Sequence, residues 1–148
     1  MAIDVGAEAP RFPSIEVSGP HALVFYKSTC STTKLAGPPL ARLGDAFPGA
    51  VLGVGQDPQT TIDGFAAEHG WPFPQVPDLA PYGVSDAYGI MSAPTLVVVD
   101  GEGQVAAVVE SWDRDGMNDA AAVLAGLLGA DAPTLSTADD GLPAFKPG

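Results

Sequence analysis

The chain has 148 residues, of which 46% are hydrophobic and only 16% are charged, a composition typical of one globular domain and not of a disordered segment. Its 6 basic and 18 acidic residues give a formal net charge of −12, so we expect neither nucleic acid nor a membrane surface as a partner. The opening residues lack the basic and apolar regions of a signal peptide, which makes the cytoplasm the expected compartment.

The first half of the chain predicts a strand, a helix and a second strand. A weakly alternating lead-in strand is expected at residues 14–17, and the almost continuous apolar run 21–27 is typical of a strand buried on both faces. Apolar residues at helical spacing then indicate a helix over 31–47, which Gly37-Pro38-Pro39 is expected to kink. The apolar run 50–55 predicts the next strand. Strand–helix–strand units of this kind are parallel and right-handed.

The second half predicts a helix, a β-hairpin and a closing helix. Asp57 followed by proline favours a capped helix over 58–69. The apolar runs 95–100 and 105–110 predict two strands, and the Asp-Gly-Glu-Gly turn between them favours an antiparallel hairpin. Apolar residues at helical spacing predict the last helix over 114–128.

These elements together predict an α/β fold with a central mixed sheet and helices on both faces. We expect residues 1–129 to form this domain. Residues 130–148 contain three prolines, three aspartates and no periodicity. We therefore expect a tail that is flexible or is draped over the surface by Leu142 and Phe145.

The single cysteine, Cys30, lies where the first buried strand gives way to a helix. Amides in a first helical turn have no partner within the helix, and together with the helix dipole they stabilise a thiolate over a thiol. Lys27 and Lys34 add positive charge nearby, and Thr33 places a hydroxyl on the same helical face. The pattern predicts a nucleophilic thiolate, although a lone cysteine is more often a small buried hydrophobe. One cysteine and two histidines make a poor zinc set, so we expect no metal.

The residues around Cys30 resemble the active site of the thioredoxin-like superfamily. Residues 25–34, FYKSTCSTTK, are similar to its aromatic pair, short loop and C-x-x-C motif, with Thr33 in place of the second cysteine. Pro38 matches the helix-kinking proline of thioredoxins, and Ala93-Pro94-Thr95 resembles their cis-proline loop. The resemblance implies a thioredoxin-like fold.

Other stretches resemble the redoxin branch of this superfamily, the TlpA-like and AhpC/TSA-like proteins. Residues 5–12, VGAEAPRF, are similar to their G-x-x-A-P-x-F opening. Residues 65–74, FAAEHGWPFP, and residues 87–90, AYGI, resemble their central segment. In this order the similar stretches extend over residues 5–128.

The resemblance also implies a role for individual residues. It implies that Cys30 is the nucleophile and that Thr29, Ala93 and Pro94 bind the substrate. From its position three residues after Cys30, we expect Thr33 to donate a hydrogen bond to the thiolate. No cofactor and no metal are expected, and the expected partner is a protein disulfide or a low-molecular-weight thiol.

Departures from the family patterns leave three functions open. Because Thr33 replaces the second cysteine, no internal thiol can resolve a mixed disulfide, and Val24 stands where thioredoxin has a buried acid. Lys27 and Pro94 stand where peroxiredoxins have a threonine and a peroxide-polarising arginine. The preferred hypothesis is a monothiol thiol–disulfide oxidoreductase, in which an external thiol resolves a mixed disulfide at Cys30. The alternatives, in order, are a redox-inactive peptide-binding module and a one-cysteine peroxidase.

Overall fold

A five-stranded mixed sheet organises the chain, of which the computed structural model describes all 148 residues. Its strands in chain order are β1 (His21–Tyr26), β2 (Val51–Gly55), β3 (Gln75–Pro77), β4 (Thr95–Val99) and β5 (Val105–Glu110). They lie side by side in the order β3-β2-β1-β4-β5. β2 is parallel to β1 and β3, whereas β4 is antiparallel to β1 and β5. The parallel first unit and the antiparallel hairpin are those predicted.

Helices cover both faces of the sheet, which confirms the predicted α/β fold. They are α1 (Ser31–Leu35), α2 (Gly37–Ala46), α3 (Gln59–His69), α4 (Gly83–Ala87) and α5 (Arg114–Leu128). Alternate residues of β1 belong to two cores: Ala22, Val24 and Tyr26 pack with α2, α3 and α5. Leu23 and Phe25 pack with α4 and the N-terminal segment. Because both faces are covered, all six residues of β1 are buried, and its sequence therefore shows no polar alternation.

The helix predicted over 31–47 is divided at Ala36 into α1 and α2. Pro38 lies in the first turn of α2. Backbone N–H groups in a first turn have no partner within the helix, so the lack of an N–H in proline costs no hydrogen bond there. The break therefore occurs where the Gly37-Pro38-Pro39 sequence predicted a kink.

Three local expectations were wrong or incomplete. The lead-in strand at 14–17 is instead a 3₁₀ turn, Pro13–Ile15, with proline in its first turn and Ile15 buried. No side chain caps α3, because Asp57 is hydrogen-bonded elsewhere, as described below. β3 and α4 were not predicted, since elements of three and five residues are too short to show a period.

The segment 130–148 lies along the surface of the domain and is anchored by Leu135. This side chain is fully buried in the core that contains α5. Asn118 of α5 accepts hydrogen bonds from the backbone N–H groups of Leu135 and Ser136 at 2.8 and 3.3 Å. Leu142 is partly buried against the same core, but Phe145 is 57% exposed. Phe145 therefore does not drape the tail over the surface as expected.

A second, two-stranded sheet holds the end of the segment. β6 (Trp112–Asp113) and β7 (Phe145–Lys146) pair in antiparallel orientation. The indole N–H of Trp112 also donates to the carbonyl of Pro143 at 2.7 Å. These bonds bring the last residues of the chain to the start of α1. None of the helices combines the length and the apolar character that crossing a membrane requires.

Candidate functional site

The loop between β1 and α1 places Cys30 at the start of the helix. Ser28 fixes this loop, because its backbone N–H and its hydroxyl both donate to Oδ2 of Asp57, at 2.9 and 2.8 Å. Cys30 is the residue immediately before α1, in an extended backbone conformation, and it is half-buried. The thiol therefore lies at the junction of strand and helix, next to the amides of the first turn.

The sulfur of Cys30 faces the loop that precedes β4. The thiol donates to the carbonyl oxygen of Ala93, with Sγ 3.3 Å from the oxygen. The peptide bond between Ala93 and Pro94 is cis, and Pro94 is buried. The hydroxyl of Thr95 donates to the carbonyl of Ser92 at 2.7 Å, which braces this loop. The structure thus brings together Cys30, Ala93 and Pro94, which are far apart in the sequence.

Two opposing influences set the acidity of the Cys30 thiol. Burial by itself raises the pKa of Cys30, because it disfavours the charged thiolate. The backbone N–H groups of Thr33 and Thr32, followed by their hydroxyls, act in the opposite direction and prevail, so the pKa of Cys30 is lowered. The local geometry therefore favours a thiolate.

The two threonine hydroxyls are not equally free to bond the sulfur. Thr32 donates its only hydroxyl proton to the carbonyl of Pro147 at 2.7 Å. The hydroxyl of Thr33 is fully buried and has no hydrogen-bond partner. Its proton is therefore not committed elsewhere, and an interaction with the Thr33 side chain contributes to the lowered pKa of Cys30. Thr33 is thus the better placed of the two to stabilise the thiolate.

A cavity of about 230 Å³ opens beside the sulfur. Its lining includes Lys27, Gln56, Met91 and Gly148, in addition to Cys30 and Ala93. Thr29 is exposed but does not line this cavity. Lys34 is likewise exposed on α1 and is absent from the lining. Of the predicted substrate-binding residues, Ala93 is therefore the one that borders both the sulfur and the open space.

A larger cavity of about 390 Å³ lies beside His21 and Arg11. Because His21 begins β1 and Cys30 follows its end, the two cavities are at opposite ends of this strand. The larger cavity contains no thiol, so the expected thiol chemistry is assigned to the smaller cavity, which Cys30 lines.

Sequence reasoning did not find three residues that shape the site. Asp57 was expected to cap α3, but it holds the Cys30 loop through Ser28. Ser111 donates from its backbone N–H to the carbonyl of Pro94 at 2.8 Å and accepts from the N–H of Gly148 at 3.0 Å. Neither Ser111 nor Gly148 belongs to a motif. Only the folded chain shows that Ser111 and Gly148 adjoin the loop that faces Cys30.

A mixed sheet of this order, with a cysteine at a helix start facing a cis-proline loop, defines a thioredoxin-like redoxin. The sequence model of the AhpC/TSA family matches residues 9–108. The chain belongs to the AhpC/TSA family. Comparison with the curated proteins gives no match.

Solved structures from several bacteria are similar in fold. A secreted disulfide oxidoreductase of Mycobacterium tuberculosis, homologous to E. coli DsbE, is 17% identical; the match covers 75% of this chain and 84% of that one, with a TM-score of 0.62. The thioredoxin domain of a thiol-disulfide oxidoreductase from Bacteroides vulgatus is 21% identical, with 80% and 95% covered and a TM-score of 0.65. The bacterioferritin comigratory protein of Xanthomonas campestris is 23% identical, with 76% and 80% covered and a TM-score of 0.58. At these identities the likeness shows the shared fold.

Proposed function

We propose that the protein is a monothiol thiol–disulfide oxidoreductase with Cys30 as its nucleophile. The observation that carries the proposal is the position of the Cys30 sulfur. It adjoins the amides of Thr32 and Thr33 on one side and the carbonyl of Ala93 on the other. Membership of the AhpC/TSA family supports thiol chemistry at such a site. The disulfide oxidoreductases of similar fold support disulfides as the substrate class.

The reaction is an exchange in two steps. The Cys30 thiolate attacks one sulfur of a disulfide; a new S–S bond forms to Cys30, the old S–S bond breaks, and the second sulfur leaves as a thiolate. An external thiolate then attacks the mixed disulfide and releases Cys30 as a thiolate, with the external thiol ending in a new disulfide. The resolving thiol must come from outside because Cys30 is the only cysteine. A reducing compartment such as the cytoplasm, which we propose as the location, supplies such thiols.

The site lacks the arginine that the peroxidase alternative requires. None of the three arginines of the chain lines the cavity beside Cys30. Arg42 donates to the carbonyl of Leu135, and Arg114 donates to Ser136 and to the carbonyl of Leu142. Without an arginine to polarise a bound peroxide, disulfide exchange is the better supported chemistry.

Mass spectrometry of the intact protein tests the proposal. The protein is incubated with bis(2-hydroxyethyl) disulfide, a small uncharged probe, and then with glutathione. We expect one hydroxyethylthio adduct on Cys30, removal of that adduct by glutathione, and no adduct on the Cys30→Ser variant. If Cys30 forms no adduct until the protein is unfolded, the oxidoreductase is excluded and the redox-inactive peptide-binding module becomes the better account.

A further inference from the structure

Residues 145–148, here called the strap, run across the start of α1. The ammonium of Lys146 donates to the hydroxyl of Ser31 at 3.2 Å. The carbonyl of Pro147 accepts the hydroxyl proton of Thr32 at 2.7 Å. These contacts join positions that are 115 residues apart in the sequence. The strap is therefore attached to the same helical turn that presents the amides to the Cys30 sulfur.

The end of the strap packs against the backbone of the loop that faces the sulfur. Gly148 lies so close to the nitrogen, carbon and oxygen of Ala93 that a side chain at this position would collide with the Ala93 carbonyl. The N–H of Gly148 donates to Ser111, which in turn donates to the carbonyl of Pro94. Gly148 also lines the cavity beside Cys30. A second extended chain cannot reach Ala93 while the strap is in place.

The space left open is small. The cavity beside Cys30 measures about 230 Å³, below the ~300–1,000 Å³ that is usual for pockets that enclose drug-sized ligands. It can receive one small arm of a disulfide next to the sulfur. An extended peptide would need the backbone surface that Gly148 covers.

We propose that the strap determines the substrate class of Cys30: it excludes extended polypeptides from the groove and leaves the thiol to low-molecular-weight disulfides. This inference rests on the proposed disulfide exchange at Cys30. It adds that access, and not chemistry alone, selects the substrate.

A double variant, Lys146→Ala/Gly148→Ala, tests the proposal. Lys146→Ala removes the bond to Ser31, and Gly148→Ala places a methyl group against the Ala93 carbonyl. The matched control is Arg11→Ala/Gly126→Ala. It removes one positive charge and adds one methyl group at exposed positions away from Cys30, and an added methyl at Gly126 meets open space. Thermal unfolding of all three proteins checks that they are folded.

The readout is the ratio of two rates of adduct formation at Cys30. One probe is bis(2-hydroxyethyl) disulfide; the other is the symmetric disulfide of an uncharged ten-residue peptide with a central cysteine. A bulky reactant can use only the fraction of molecules in which the groove is open, so its rate rises in proportion to that fraction. We therefore expect the strap variant to react faster with the peptide disulfide, by a factor on the order of ten, while its rate with the small disulfide changes less than about twofold. The control should match the wild type in both rates.

Two outcomes overturn the inference while leaving the proposed function intact. One is a wild type that reacts equally fast with both disulfides; the other is a strap variant whose ratio equals that of the control. Iodoacetamide and an iodoacetyl derivative of the same peptide measure access without any disulfide exchange. If the alkylation ratio responds to the strap but no protein forms a disulfide adduct, the strap limits access to Cys30 and the proposed exchange is wrong.

Discussion

At Cys30, burial and hydrogen bonding change the acidity of the thiol in opposite directions. Burial raises the pKa of Cys30, whereas the amides and hydroxyls of Thr33 and Thr32 lower it and prevail. The carbonyl of Ala93 accepts a hydrogen bond from the protonated thiol and cannot bond a thiolate. The helix start therefore supplies the donors that the thiolate needs, and the cis-proline loop supplies the opposite wall of the site.

The pH dependence of alkylation measures this balance. A lowered pKa means that the thiolate persists to lower pH, so iodoacetamide should label Cys30 with a midpoint below the ~8.5 of a free thiol. In urea the hydrogen bonds are lost, and the midpoint should return to about 8.5. The same sign applies to stability: the ionised Cys30 stabilises the folded state at high pH, and this contribution disappears as the pH falls through the lowered pKa. A folded-state midpoint at or above the unfolded one would contradict the assignment.

Thr33→Val removes the buried hydroxyl and keeps the shape of the side chain. We expect the alkylation midpoint of Cys30 to rise, since the thiolate loses the favourable interaction with the Thr33 hydroxyl. Thr33→Ser, which retains the hydroxyl, is the matched control and should keep the wild-type midpoint. An unchanged midpoint in Thr33→Val would show that the hydroxyl does not bond the sulfur.

Among the elements, the loop between β1 and α1 is held from the neighbouring strand. β2 ends at Gly55, and Asp57 follows it closely enough to accept two hydrogen bonds from Ser28. Parallel neighbours end at the same edge of a sheet, so the turn after β2 meets the turn after β1. The position of Cys30 therefore depends on the pairing of β1 with β2 as well as on its own helix.

Asp57→Ala should destabilise the protein and loosen the Cys30 loop. Both hydrogen bonds involve a charged acceptor and a buried serine, so we expect a loss of about 2–3 kcal/mol in the free energy of unfolding by urea. Asp63→Ala, which removes an exposed carboxylate bonded to Gln59 within α3, is the control and should cost about 0.5 kcal/mol or less. Equal losses in the two variants would show that the Asp57 contacts do not hold the loop.

In the whole molecule, the segment 130–148 is part of the folded structure. Leu135 fills the core beside α5, the guanidinium of Arg114 donates to the carbonyl of Leu142, and β7 pairs with β6. Through these contacts the far end of the chain reaches the site formed by its first thirty or so residues and the cis-proline loop. Site and tail are thus expected to unfold together.

Leu135→Ala tests whether the tail contributes to the core. Removing a fully buried leucine side chain should lower the free energy of unfolding by about 2–5 kcal/mol. Leu127→Ala, at a position that is 40% exposed on α5, should cost less than about 1 kcal/mol. Urea unfolding of both variants gives the comparison. A negligible loss for Leu135→Ala would mean that the tail is not packed in solution.

The sequence by itself determined the elements whose burial is periodic or continuous. The runs at β1, β2, β4 and β5 and the helical spacing of α5 follow directly from which faces are covered. It also located Cys30 at the end of a buried strand, because a strand and the following helix are read from adjacent residues. Asp57 was predicted as a helix cap, because an aspartate before Pro58 and a helix is typical of a cap. Its sequence neighbours give no sign that it instead accepts hydrogen bonds from Ser28.

Only the tertiary structure decided what surrounds the sulfur. Ala93, Ser111 and Gly148 meet Cys30 or one another across long stretches of chain, and no local period records such contacts. The strap is held by a strand pair of two residues and by single hydrogen bonds. It has no row of apolar residues facing the core, so its sequence shows no hydrophobic periodicity. Local propensity sets a helix or a strand, but a site made from backbone carbonyls and amides of distant segments exists only after the sheet has brought those segments to one edge.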